Sequence, residues 1–167
     1  MKSYQSAGLM SLLALVTACG PKPPAPPDAA AIRSALEAQG AKAMAALQQK
    51  DSAGLAALFT EDATWILPDA STFKGRADIE RGLGRFFASY ESITPNPLVI
   101  DQLIVRSDTE AFTFARNTYS MTPKGKRPEN HTNPFADYWK KGADGVWRIA
   151  YEINADGAVP EAAAKRP

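Results

Sequence analysis

The sequence predicts an α+β fold in which N-terminal helices pack on a strongly curved antiparallel sheet. Three observations carry the prediction. Apolar residues recur at three- and four-residue spacing through most of Ala29 to Tyr90, the period of helices buried along one face. From Pro97 onward the period falls to two, and β-branched and aromatic residues dominate. The strand-like runs are separated by short turn clusters such as Ser107-Asp108 and Ala143-Asp144-Gly145, which fit hairpins better than helical crossovers.

Taken in order, residues 1–18 read as a removable address. Lys2 supplies the positive start, Ala7 to Val16 is an apolar run too short to span a bilayer, and Thr17 and Ala18 are small. The run Val16-Thr17-Ala18-Cys19-Gly20 resembles the lipobox of bacterial lipoproteins. That resemblance implies acylation of Cys19, the only cysteine, and cleavage before it. Gly20 in place of Asp implies sorting to the outer membrane, facing the periplasm. Residues 19–28 hold five prolines and few side chains that could pack, so they read as an extended tether. Residues 29–156 are one domain by length, and 157–167 read as a flexible, charged tail.

Within the domain, Ile32, Leu36, Ala43 and Leu47 predict one amphipathic helix over Ala29 to Lys50, although Gly40 interrupts its middle. Asp51 or Ser52 can cap a second, shorter helix over Ala53 to Phe59. After a turn at Thr60-Glu61-Asp62, Ala63 to Leu67 predicts a strand that stops at Pro68. Lys74-Gly75-Arg76 leads into a third helix with Ile79, Leu83, Phe86, Phe87 and Tyr90 on its apolar stripe. Strands are then predicted over Leu98 to Val105, Ala111 to Met121, Phe135 to Lys141 and Val146 to Asn154. A curved sheet packed on helices leaves an apolar hollow, where a ligand site belongs.

Composition excludes several function classes. The formal net charge is +1, and Lys2 is the only charge in the leader, so the remaining chain is balanced. There is no basic stripe to bind nucleic acid. No second cysteine exists to form an internal disulfide. His131 is the only histidine, so a metal site lacks its usual ligands. No Gly-rich phosphate loop or nucleophile elbow is present, and no cofactor is expected.

A series of residues resembles the SnoaL-like and ketosteroid-isomerase-like branch of the nuclear transport factor 2-like superfamily. The series runs through Lys50-Asp51, Leu55-Ala-Ala-Leu-Phe59, Glu61-Asp62-Ala63-Thr64, Pro68, Gly75-Arg76, Ile79 and Asp144-Gly145-Val-Trp147-Arg-Ile149, in the family order. The resemblance implies a cone-shaped α+β barrel with a pocket between sheet and helices, and a homodimer packed through the sheet. It does not imply steroid isomerisation. The isomerase base precedes the proline that ends the first strand, where this chain has Leu67, and the isomerase tyrosine falls at Ala43. Only the oxyanion-hole acid has a counterpart, Asp137 in Phe135-Ala-Asp-Tyr-Trp139.

Alternation places Phe135, Asp137 and Trp139 on one face of a strand, so a carboxylate between two aromatics is a candidate acid or base. The competing readings turn this face outward or pair Asp137 with Arg116 or Arg148. His131, in a polar loop beside Glu129 and Asn133, is a candidate proton shuttle or an ordinary solvated residue. Trp65, Tyr119, Phe135, Trp139, Trp147 and Tyr151 are candidate pocket walls, since aromatics with polar tips suit an apolar ligand oriented by a few hydrogen bonds. Two functions remain open on this sequence. One is a tethered module that binds a small apolar molecule or serves an accessory, partner-binding role without chemistry. The other is a cofactor-independent enzyme for proton transfer, cyclisation or hydration, with Asp137 as acid or base and His131, Tyr119 or Tyr138 assisting.

Overall fold

Asp28 opens the first helix by accepting from the backbone N–H groups of Ala30 and Ala31, each at 3.0 Å. In the computed structural model, which describes residues 26–155, this helix is α1 (Ala29–Gln49). It buries Ile32, Leu36 and Ala46, and runs unbroken through Gly40. A Cβ at Gly40 would sit 3.4 Å from the Leu98 side chain, so the glycine lets α1 lie close to that residue. Lys50 closes α1 in the left-handed region, and its ammonium donates to the carbonyls of Tyr90 and Glu91 at 3.0 and 3.1 Å.

Asp51 caps α2 (Ser52–Ala56) by accepting from Gly54 N–H at 2.9 Å. This helix is shorter than the sequence predicts. Phe59 leaves it to begin β1 (Phe59–Ile66), and Thr60-Glu61-Asp62 is an irregular part of that strand, not a turn before it. Their turn character persists locally, since Thr60 Oγ1 donates to Asp62 at 2.8 Å. The short β2 (Thr72–Lys74) pairs back on β1. Gly75, at φ 81°, then turns the chain into α3 (Arg76–Ala88). Arg76 donates to the Phe59 carbonyl through Nε at 3.0 Å and pairs with Glu61, which fastens the start of α3 to β1.

Tyr90, predicted on the helical stripe, instead begins β3 (Tyr90–Pro95). Its ring packs on Phe86 at 4.9 Å, so the spacing of four that reads as helix is a real contact made across the helix end. The remaining strands are β4 (Val99–Ser107), β5 (Glu110–Pro123), β6 (Glu129–Lys141) and β7 (Trp147–Asn154). β6 starts six residues before the predicted Phe135, because the hairpin turn lies around Gly125. His131 is therefore a strand residue paired with Tyr119, not a loop residue.

The seven strands form one sheet in the order β2-β1-β7-β6-β5-β3, with β4 also on β5. β5 serves two neighbours along one edge: Glu110 to Arg116 pairs with β4, and Tyr119 to Pro123 pairs with β3. The architecture is the predicted α+β one, with N-terminal helices on a curved sheet. One pairing departs from the antiparallel expectation, since β1 runs parallel to β7 and the sheet is mixed. No hairpin can dictate that pairing, because the two strands are separated by most of the domain. The core joins Ile32 and Leu36 of α1, Ile79, Leu83 and Phe87 of α3, and Trp139, Trp147 and Ile149 of the sheet.

Candidate active site between the helices and the sheet

Between α1, α3 and the concave face of β5–β7 lies a cavity of about 310 Å³. Its walls are mostly apolar: Ala43, Met44 and Leu47 from α1, Leu83 and Phe86 from α3, and Trp65 and Phe73 from β1 and β2. Gly82 permits the close approach of α3, because a Cβ there would meet the Phe73 ring at 2.6 Å. The sheet contributes the polar part. Asn117, Asn133, Asp137, Glu152 and Asn154 all line the cavity.

Asp137 lies between Phe135 and Trp139 on the concave face, and all three line the cavity. Only 3% of it is exposed. A relay holds one of its oxygens: Trp139 Nε1 donates to Thr113 Oγ1 at 2.9 Å, and Thr113 Oγ1 donates to Asp137 Oδ2 at 3.3 Å. Asp137 Oδ1 is buried without a partner. Neither arginine weighed as a partner reaches it, since Arg116 pairs with Asp101 and Arg148 pairs with Asp144. Burial holds the Asp137 carboxyl well above the usual range, the neighbouring Glu152 raises it further, and the Thr113 hydroxyl opposes both.

Glu152 is the residue that sequence reasoning missed. It stands directly opposite Asp137 in the β6–β7 ladder, so the two carboxyls share a face and a neighbourhood. Burial pushes Glu152 up to about 7, against the stabilising effect of the Asn154 amide and the Trp65 indole. A bulge explains the miss. Tyr138 pairs with Tyr151 but Trp139 pairs with Ile149, which leaves Ala150 as an extra residue and reverses the alternation. Trp147 and Ile149 point inward before the bulge, and Glu152 and Asn154 point inward after it. The sequence signal for Glu152, a polar residue alternating with Tyr151 and Ile153, ordinarily marks a solvent face.

The same bulge corrects another expectation. Tyr151 does not line the cavity; it is 53% exposed on the outer face. Trp147 is buried in the core below the cavity lining rather than forming its wall. His131 is also outside the lining: its ring stacks on Tyr119 at 5.7 Å, and Nε2 lies 3.7 Å from the Glu129 carboxylate. Tyr138 faces the other way, stacked on Phe112 at 4.7 Å with its hydroxyl donating to Glu110 at 2.8 Å. Of the predicted pocket residues, Trp65, Tyr119, Phe135 and Trp139 line the same cavity as Asp137. Trp65 Nε1 donates to Asn154 Oδ1, and Asn154 Nδ2 donates to Asn133 Oδ1 at 3.3 Å, so a polar row crosses the cavity floor. Ala43 and Leu67 line the cavity too, which places apolar side chains at both positions where the isomerase arrangement has a tyrosine and a base.

Among the described residues, no group of three or more His, Cys, Asp and Glu side chains could hold a metal ion, and no helix is long and apolar enough to cross a membrane. The leader (residues 1–18), Cys19 with the tether up to residue 25, and the tail (157–167) lie outside the described residues.

Comparison with solved structures shows the same architecture at low sequence identity. A Nostoc punctiforme domain with a cystatin-like fold superposes with a TM-score of 0.69 at 20% identity, covering 82% of this chain and 84% of that one. A ketosteroid isomerase-like protein from Erwinia carotovora atroseptica gives 0.64 at 17% identity, over 73% and 93% of the two chains. A hexachlorocyclohexane dehydrochlorinase from Novosphingobium barchaimii gives 0.65 at 14% identity, over 75% and 86%. No curated protein matches the sequence. The SnoaL-like domain profile matches residues 41–151, from the middle of α1 into β7; it takes in β1 to β6 and the start of β7 and stops just before Glu152. The chain belongs to the SnoaL-like domain family.

Proposed function

We propose that this protein is a lipid-tethered envelope protein whose SnoaL-like domain binds one small, predominantly apolar molecule. The observation that carries the reading is the cavity itself: about 310 Å³, apolar on the helical side, with a short row of polar side chains on the sheet. Sites for small molecules have this composition, and the volume falls at the lower end of their usual range of ~300–1,000 Å³. A neutral apolar fluorophore should therefore bind the full chain with enhanced emission, and Ala43→Trp, which fills the cavity from α1, should abolish the signal without unfolding the protein. Equal binding by the filled variant would defeat the reading.

The tether rests on the sequence around Cys19 and on the prolines that follow it. Two acyl chains hold a soluble domain stably on a membrane, where one chain is marginal. Labelled fatty acid should enter the wild-type protein and not Cys19→Ser; label in the serine variant would refute the anchor. The exposed outer face of the sheet, with Phe112, Phe114, Tyr151 and Ile153, supports a homodimer packed through that face.

One observation favours a second reading, catalysis. Asp137 no longer stands alone: Glu152 beside it supplies the second carboxyl that acid–base chemistry needs. The comparison proteins include a dehydrochlorinase and an isomerase-like protein, but Leu67 and Ala43 exclude the isomerase arrangement itself. Mass spectrometry of the ligand recovered from protein held in deuterated water separates the two. Binding alone leaves the carbon-bound hydrogens unchanged, and proton transfer replaces them.

A further inference from the structure

We infer that the cavity's ligand carries a single protonated amine on a compact apolar body, with Asp137 and Glu152 as its counter-charge. The inference rests on the reading of the cavity as a small-molecule site and deepens it.

Charge is the first argument. Two carboxyl side chains face one cavity from adjacent strands, yet no Lys, Arg or His lines it. From α1, α3, β1 and β2 no titratable side chain lines the cavity; from β5 only the Tyr119 phenol does, and burial raises its pKa. The nearby cations are engaged elsewhere: Arg76 with Glu61, Arg116 with Asp101, Arg148 with Asp144, and Lys50 with the β3 carbonyls. His131 stands outside the lining beside Glu129. Buried carboxyls without a cation are costly and retain protons instead. A cation brought by a ligand removes that cost.

Hydrogen-bonding demand is the second, independent argument. Two buried oxygens lining the cavity have no partner, Asp137 Oδ1 and Asn117 Oδ1, and both residues are less than one-tenth exposed. The Asn117 amide is oriented by its Nδ2 donating to Met44 Sδ at 3.8 Å, which leaves the oxygen to accept. An ammonium has donors for Asp137 Oδ1 and for Glu152, its neighbour in the ladder, while Asn117, opposite Asn133 and four residues along β6 from Asp137, offers its oxygen to a more distant donor of the ligand. A ligand offering only acceptors would leave Asn117 Oδ1 unmet.

Charge balance then couples binding to protons. Entry of the ammonium releases a proton from the carboxyl pair to solvent, so affinity rises with pH until the pair is ionised. It falls again only when the amine itself loses its proton, near pH ~10 for an alkylamine.

Calorimetric titration of the full chain with 2-phenylethylamine and with its neutral isostere 2-phenylethanol tests this. At pH 8 the amine should bind at least ~10-fold more tightly than the alcohol, the difference a desolvated ion pair commonly makes. Its affinity should fall toward ~10-fold per pH unit between pH 7 and pH 5, the limit for one released proton, and paired buffers should register that release. Glu152→Gln should abolish both the pH slope and the amine preference while alcohol binding remains; Asp137→Asn should weaken the amine in the same way. Amine binding no tighter than the alcohol, or a preference that survives both variants, overturns the inference and leaves the cavity reading standing. If neither probe binds at any pH, the amine inference falls, and the fluorophore titration alone decides the cavity reading.

Discussion

Glu152 and Asp137 tie the stability of this domain to pH through their burial. Each has a folded-state pKa above its ordinary value, so the folded chain binds protons more tightly than the unfolded one. For Glu152 that contribution is fully present below its ordinary value of 4.5 and is lost as pH rises through about 7. The domain should therefore lose stability across that window, by on the order of 2 kcal/mol after allowance for the partial exposure of Glu152. Glu152→Gln removes the ionisation, and with it the charge that raises Asp137. Thermal unfolding between pH 4.5 and 8 should show a flatter profile for the variant, which should be the more stable protein at pH 8. A wild-type profile that rises over the same window would show that the carboxyls are ionised at no cost. Asp137 was legible as an inward residue because Phe135 and Trp139 flank it in strict alternation, and no irregularity of β6 intervenes there. Glu152 was hidden because the same rule, carried along β7 from Trp147 and Ile149, breaks at Ala150.

Whole elements were legible where one physical signal acted alone. α1 has its cap at Asp28, its apolar stripe and its left-handed end at Lys50, and the predicted span agrees with the observed one to a residue. β5 likewise follows from its alternation. The elements that were missed obey two signals at once. β3 begins with Tyr90, whose contact with Phe86 completes a helical spacing although the backbone has already left the helix at Ser89. The first half of β6, Glu129 to Pro134, is polar because it forms the far end of the long hairpin with β5, so composition marks a loop where the ladder continues. β2 is three residues long and paired along one edge, too short for periodicity to show. The parallel pairing of β1 with β7 has no local signature, since it depends on where the rest of the sheet places the two strands.

For the molecule as a whole, the two faces of the sheet differ in character. The concave face makes the cavity; the outer face carries a row of Ile104, Phe112, Tyr138 and Tyr151 in register across four strands, beside Phe114 and Ile153. Large exposed apolar patches on a soluble domain mark interaction surfaces. A second copy of the same chain is the proposed occupant, with two-fold symmetry bringing like against like. Sedimentation of the wild type should give a dimer, and Phe114→Asp, which places a charge in the centre of the patch, should give a monomer that still binds the apolar fluorophore. A wild type that sediments as a monomer would remove the dimer while leaving the cavity intact.

The parallel seam between β1 and β7 has a further consequence for how the protein is made. It joins Phe59 to Ile149 and, through Trp65 and Asn154, stitches together the two ends of the domain inside the cavity. Contacts between such distant points of a chain bring loop-closure entropy that only the finished fold offsets. The hairpins of β4 to β7 can form from neighbouring sequence, but the cavity cannot: no fragment lacking either end contains it. The proposed ligand site thus exists only when both ends of the domain are in place, and a bound molecule bridging that seam would act as a clasp on the completed fold.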